Sequence, residues 1–223
     1  MKKLSQAIVA ATALTAGIAG VQTANAVEVS ASAAVANMYL WRGQDLGNGA
    51  AAVSGDITVS EGGLYGGVWA SSGDTTYGQE YDLYVGYGGE ADALSYDVSL
   101  LSYVYPGDDG ANGEGNTFGL TDLVVSLGYD AFGFSYYYPV SNSNPDSAYY
   151  ATLSYGMGDY GLTVGKAGDD VANSGYFHVD LSYAYNDSLG FTVSKIVSDE
   201  AEDTADEMDD DIKFVVSYSL PIE

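Results

Sequence analysis

His178, Asp180 and Ser182 alternate with Phe177, Val179, Leu181 and Tyr183, and they are the residue types from which hydrolases assemble a base and a nucleophile. Along an extended chain every second side chain shares a face, so the three would point the same way. Cβ atoms two residues apart on a strand are roughly 7 Å apart, too far for a His–Asp hydrogen bond without help from another strand. His178 is also the sole histidine, which leaves no alternative base. The expectation is no enzyme and no cofactor, with His178 held in a hydrogen-bond network.

Carboxylates carry the rest of the chemistry. Asp56, Glu80, Asp82, Asp97, Asp122 and Asp180 stand in the polar phase of alternating segments, among many Ser and Thr. Burying so many in a dry core is costly, so they imply a wet interior whose acidic wall attracts cations and repels anions. Arg42 and Lys213 share that phase and complete the candidate pore-lining set. They either make a basic spot at the mouth or pair with Asp45 and Asp211. The run from Asp199 to Asp211, with Glu200, Glu202, Asp203, Asp206, Glu207, Asp209 and Asp210, is a denser acidic patch. Hard cations take clustered carboxylates, yet the D-x-D-x-D-G spacing of a calcium loop is absent. A solvated loop and no metal site is the reading. Gly62-Gly63, Gly66-Gly67 and Gly88-Gly89 precede no helix, so they mark turns and bulges rather than phosphate loops.

What must position these residues is a series of strands. In 51–60, Ala51, Val53, Gly55, Ile57 and Val59 alternate with Ala52, Ser54, Asp56, Thr58 and Ser60, a period of two. The same reading gives strands at 29–41, 64–71, 80–88, 94–105, 117–129, 132–138, 148–155, 160–166, 176–185, 189–197 and 211–220. That makes twelve, an even number, mostly near the roughly 9–11 residues that cross a bilayer when tilted. Connections are alternately short and long: 42–50, 72–79, 106–116, 139–147, 167–175 and 198–210 are the long ones. Such parity suits a barrel in the outer membrane of a Gram-negative bacterium, with short turns in the periplasm and long loops outside. Aromatic residues crowd the ends of the apolar face. Trp41, Tyr81, Tyr138, Tyr149, Phe177 and Phe214 lie toward one rim, and Tyr87, Tyr129, Phe132, Tyr155, Tyr160, Tyr183 and Tyr218 toward the other, as two interfacial girdles.

The ends and the composition agree. Lys2 and Lys3, the apolar stretch 4–21 and Ala24-Asn25-Ala26 make residues 1–26 a cleavable export signal and 27–223 the mature barrel. The formal net charge is −25, from six basic and 31 acidic residues. That excludes non-specific nucleic-acid binding, which needs Lys and Arg on phosphates. Cysteine is absent, so there are no disulfides or thiolate metal sites. The basic residues after the signal are Arg42, Lys166, Lys195 and Lys213. Lys166 and Lys195 are in phase with apolar neighbours near the outer rim, where they would snorkel toward lipopolysaccharide phosphates.

Tyr39-Leu40-Trp41-Arg42-Gly43, Gly66-Gly67-Val68-Trp69, Glu80-Tyr81-Asp82-Leu83-Tyr84-Val85-Gly86-Tyr87, Tyr96-Asp97-Val98 and Tyr103-Val104-Tyr105-Pro106-Gly107 resemble the TorF family of porins of Proteobacteria. The resemblance is strongest over 29–107 and becomes a general strand pattern afterwards. It implies an outer-membrane β-barrel with a porin role and brings no catalytic or ligand residues. One departure is the C-terminus, Leu220-Pro221-Ile222-Glu223, where the aromatic residue read by the barrel-assembly machinery is missing.

The expectation is an all-β, transmembrane, antiparallel up-and-down β-barrel of about twelve strands. It would be a passive, cation-preferring outer-membrane pore for small hydrophilic solutes, with membrane lipid and lipopolysaccharide as its surroundings. The alternative is a closed, plugged barrel with a ligand-binding or envelope-structural role through its acidic loops. Oligomeric state is not legible in the sequence.

Overall fold

The computed structural model of the chain describes residues 26–107, 117–141, 148–168, 175–200 and 208–222. The expected export signal, apart from Ala26, and Glu202, Asp203, Asp206 and Glu207 of the acidic run lie outside the described residues.

Period-two alternation makes strands wherever one face can be apolar and the other polar, and the chain folds accordingly. The elements are β1 (Glu28–Ala36), β2 (Leu40–Trp41), β3 (Gln44–Asp45), β4 (Ala52–Glu61), β5 (Leu64–Ser71), β6 (Glu80–Ala91), β7 (Leu94–Val104) and β8 (Leu120–Tyr129). They continue with β9 (Phe132–Pro139), β10 (Tyr149–Met157), β11 (Tyr160–Gly168), β12 (Tyr176–Ala184), β13 (Leu189–Asp199) and β14 (Lys213–Ile222). Leaving aside the small hairpin β2–β3, the other twelve close into one antiparallel barrel, each paired with its sequence neighbours and β14 with β1. Closure leaves no edge strand with unpaired backbone groups. The seam runs from Ala31↔Ile222 to Ala36↔Ser217.

Several strand ends shift by one to three residues from the sequence expectation, and two differences have a visible reason. The expected connection at 89–93 shrinks to the turn 92–93, because the ladder between β6 and β7 continues through Gly88↔Asp97 to Ala91↔Leu94. Asp92 supports that turn with φ 59°, a left-handed conformation that Asp tolerates. The expected first strand, 29–41, stops at Ala36, and the chain then leaves the wall.

The barrel is apolar outside and polar inside, the reverse of a soluble protein. Val29, Val53, Ile57, Val85, Val98, Leu153, Leu181 and Val193 are exposed on its exterior, while their alternating partners face the lumen. At the turn end, Tyr87, Tyr129, Phe132, Tyr160 and Tyr218 are exposed, and at the loop end Tyr81, Tyr138 and Phe214 are. Rings meet across neighbouring strands, as in Phe132–Tyr155 at 4.8 Å and Tyr160–Tyr183 at 4.9 Å. Such girdles suit a belt of lipid with a wet boundary at each end. No helix of the described residues is long and apolar enough to cross a membrane; the strand belt is what this chain offers a bilayer.

Val85 is 50% exposed near the middle of β6. Val85→Arg is therefore expected to weaken insertion by about 2–4 kcal/mol, the cost of a cation at mid-bilayer. Urea titration of the protein folded into phospholipid vesicles would measure it, and unchanged stability would place Val85 away from lipid.

Candidate functional site

The lumen is built from the polar phase of the strands, and its two ends differ. In the turn half small side chains dominate, and polar groups pair across strands. The Ser32 hydroxyl donates to Asp56, Tyr65 donates to Asp97 Oδ2 at 2.8 Å, the Thr58 and Tyr84 hydroxyls are hydrogen-bonded at 2.5 Å, and those of Ser126 and Ser135 at 2.9 Å. Asp56 and Asp97 remain partly exposed. In the loop half the lumen is packed. Leu101, Val124, Tyr137 and Tyr150 form a buried cluster on the wall made by β7–β10, and Ile196 and Val215 are buried as well.

Its stopper is a piece of the first long loop. At Asn37 the chain peels away from β14, and the Asn side chain stands in for the missing ladder. Asn37 Nδ2 donates to the Phe214 carbonyl at 3.0 Å, and Oδ1 accepts the Val216 N–H at 2.6 Å. The following hairpin, β2–β3, pairs Leu40 with Asp45 and Trp41 with Gln44. Its turn is the dipeptide Arg42-Gly43, with φ 49° and 83°, the signs of a type I′ turn. Asn or Gly normally fills the first of these positions, and holding an arginine there costs roughly 1–2 kcal/mol. Gly43 has a second reason to be glycine: a Cβ there would stand 2.7 Å from His178 Cβ. Asp45 ties the hairpin's exit by accepting the Gly47 N–H at 3.0 Å and the Gly49 N–H at 2.6 Å.

The hairpin is docked on both sides of the lumen. On one wall the Tyr176 hydroxyl donates to the Arg42 carbonyl at 2.9 Å and accepts from Gln44 Nε2 at 2.8 Å. On the opposite wall Arg42 Nη2 donates to the Tyr103 hydroxyl at 3.0 Å and to Asp122 Oδ2 at 3.3 Å. The guanidinium lies 4.5 Å from the Tyr150 ring centre, 5.1 Å from that of Tyr137 and 4.3 Å from that of its neighbour Trp41. Burial disfavours its charge, but the Tyr103 and Asp122 oxygens more than offset this and hold the Arg42 pKa above its ordinary value, so it stays a cation. Above it, Tyr39 and Tyr105 each donate to Glu80, at 2.5 and 2.9 Å. Burial, reinforced by the Glu80 carboxylate, raises the pKa of both phenols far beyond their usual range, so both remain donors.

The eight expected lumen residues have different surroundings: Lys213 opens β14, and Arg42 has left the wall for the turn between β2 and β3. Glu80, Asp82 and Asp180 are buried in the packed half, Asp122 is engaged by Arg42, and Asp56 and Asp97 belong to the turn half. Arg42 pairs with Asp122 rather than Asp45, because the inward hairpin carries it across the lumen while Asp45 turns back on its own loop. Lys213 reaches the Asp209 carbonyl at 2.7 Å and carboxylate at 3.3 Å, and of Asp211 it takes the carbonyl at 3.2 Å. Trp41 is not in the outer girdle; it is stacked on Arg42 inside the mouth. Lys166 lies 5.0 Å from the Phe177 ring centre, and Lys195 pairs with Asp210 at 2.9 Å.

His178 and Asp180 do bond, at 3.0 Å between Nδ1 and Oδ1, against the expectation from strand spacing. The irregular register between Phe177 and His178 tilts the imidazole along the strand. Nδ1 meets Asp180, and Nε2 and the Tyr150 hydroxyl are hydrogen-bonded at 2.8 Å. Gly165 makes room for that contact, since a Cβ there would overlap His178 Nε2. Ser194, not Ser182, joins the network by donating to Asp180 at 2.6 Å. No serine among the described residues reaches His178 Nε2, so the cluster lacks the nucleophile–base bond of a hydrolase. It braces the wall against which Gly43 docks.

The packed half had a sequence signal that the alternation hides. Leu100-Leu101, Val124-Val125, Ile196-Val197 and Val215-Val216 are adjacent apolar pairs. One member of each faces outward and the other enters the lumen, and all four lie toward the loop end.

The family described as "Bacterial protein of unknown function (Gcw_chp)" matches residues 21–214. No curated protein matches the chain. Among solved structures, a triple mutant of the Rh. blastica porin is 12% identical with a TM-score of 0.45, over 76% of this chain and 55% of that one. This chain thus spans about half the length of that porin. Outer membrane phospholipase A from Escherichia coli is 11% identical with a TM-score of 0.44, over 85% of this chain and 88% of that one. These likenesses concern the fold alone.

Gly43→Ala is expected to weaken hairpin docking by about 1–3 kcal/mol, through strain at positive φ and overlap with His178. Limited proteolysis within 37–50 should become faster while the barrel keeps its heat-modifiable electrophoretic mobility. Unchanged cleavage would mean that the hairpin does not depend on the contact with His178.

Proposed function

The chain belongs to the Gcw_chp family of bacterial proteins, and we propose that it is an outer-membrane barrel through which small hydrophilic solutes diffuse passively. The observation that carries this reading is the inverted barrel itself, an apolar, aromatic-rimmed exterior around a carboxylate-rich lumen. A wall with Asp56, Glu80, Asp82, Asp97, Asp122 and Asp180 against Arg42 and Lys213 prefers cations, because its summed field attracts them and repels anions. The docked hairpin makes the loop end the narrow point. The resemblance of 29–107 to TorF porins supports the same role. The exported chain reaches the membrane through its signal and the barrel-assembly machinery, and Lys166 at the outer rim meets lipopolysaccharide phosphates. It is not an enzyme on this reading.

A specific observation favours the second reading, a closed barrel acting through its acidic loops: the buried Leu101–Val124–Tyr137–Tyr150 cluster lines the wall on which Arg42 of the hairpin docks.

Recording of the refolded protein in planar bilayers under a salt gradient separates the two. Discrete steps with a cation-selective reversal potential are expected for the pore. A folded, heat-modifiable barrel that never conducts would establish the closed barrel instead. In the conducting protein, changing Asp56, Asp82, Asp97 and Asp180 together to Asn should move the reversal potential toward zero. An unmoved potential would remove them from the ion path.

A further inference from the structure

The residues around the Arg42 guanidinium form a receptor that the chain fills with a group of its own. Tyr103, Asp122, Tyr137 and Tyr150 belong to β7, β8, β9 and β10, four successive strands of the wall. Their positions are fixed by the ladder, with Tyr150 paired directly to Tyr137 and Tyr103 paired to Leu120 beside Asp122. The occupant comes from elsewhere in the chain, on the hairpin that follows β1 and is also held by Tyr176 of β12. Withdrawing the hairpin would leave the receptor standing.

Its chemistry is selective. Two ring faces at 4.5 and 5.1 Å, a phenol oxygen at 3.0 Å and a carboxylate oxygen at 3.3 Å surround one planar cation. Ring faces attract weakly hydrated organic cations, and guanidinium groups satisfy neighbouring oxygens while lying against aromatic faces. Hard metal ions want several oxygens, and no group of three metal-ligating side chains occurs among the described residues. The strained backbone points the same way. Arg42 sits at φ 49°, where Asn or Gly would make the turn more easily, so what the arginine contributes is its side chain.

We propose that Tyr103, Asp122, Tyr137 and Tyr150 are a binding site for organic cations bearing guanidinium groups, and that Arg42 occupies it as an internal ligand. The site stands on this geometry alone; its role as a station for such solutes on their way through the barrel rests on the pore reading above. A solute of this class competes with Arg42, frees the hairpin and thereby opens the mouth to itself.

The test uses methylguanidinium chloride as probe and sodium chloride at equal ionic strength as reference. Refolded Arg42→Ala protein in detergent, checked by heat-modifiable mobility, should bind methylguanidinium saturably in titration calorimetry. Arg42→Ala/Asp122→Asn should bind about tenfold or more weakly, having lost the charged partner. No binding by the folded single variant, or equal binding by both, would overturn the site. The intact hairpin provides an independent reading, because the chain has two tryptophans, Trp41 and Trp69. With Trp69→Phe, Trp41 reports alone, and its emission should shift saturably with methylguanidinium and not with sodium. An unresponsive Trp41 would overturn the competition with Arg42. Bilayer recording on the same samples keeps the two claims apart. Binding without current retains the site and sinks the pore, whereas current without binding retains the pore and sinks the site.

Discussion

A backbone amide placed in hydrocarbon has no water to bond, so a sheet that crosses a membrane must return to its own first strand. The pairing of β1 with β14 is that return, and the rest of the molecule is arranged around it. Closure sends every second side chain outward to lipid and every other one into an enclosed space, which produces the apolar exterior and the carboxylate-bearing lumen together. It also explains Asn37. Where the chain must leave the seam to enter the lumen, a side-chain amide copies the donor and acceptor of the absent backbone, so departure leaves β14 satisfied.

Inside the barrel the same low-dielectric logic acts on side chains. A buried carboxylate is tolerable when phenols or a guanidinium supply hydrogen bonds, and tyrosine is the residue that does this here. Tyr39 and Tyr105 serve Glu80, Tyr103 serves Asp122, and Tyr65 serves Asp97. A phenol reaches far into the lumen, donates without bringing charge, and packs its ring against the next strand. The packed half of the lumen is thus a polar network and an apolar cluster, tyrosine contributes to each, and Arg42 is the cation that both share.

Most of the wall was legible in the sequence, because period two is a strong signal where one face meets lipid. The run 51–60 fixes its own phase, and 64–71 coincides with β5. What was hidden is whatever leaves the wall. Tyr39, Trp41 and Arg42 resume the alternation of β1 after one interruption at Asn37-Met38, so a strand reading extends through them. Their inward turn depends on Arg42-Gly43 adopting positive φ, and an arginine does not announce that. The contact partners were hidden for another reason. Arg42 and Asp122 are eighty residues apart in sequence, and only the closed geometry makes them neighbours. The bond between His178 and Asp180 escaped because a local irregularity in register is invisible to a spacing rule.

The roots of the inward segment have a consequence for how such a barrel can change. Ala36 and Ala52 face each other on one rung of the ladder between β1 and β4, so the chain between them is a handle fixed at both ends to a completed wall. Its length and lettering can be rewritten without unzipping a strand or shifting a register. Closure of the wall and the content of its mouth are thereby separable: the segment between Ala36 and Ala52 can be exchanged while the pairing of β1 with β4 and β14 stays intact.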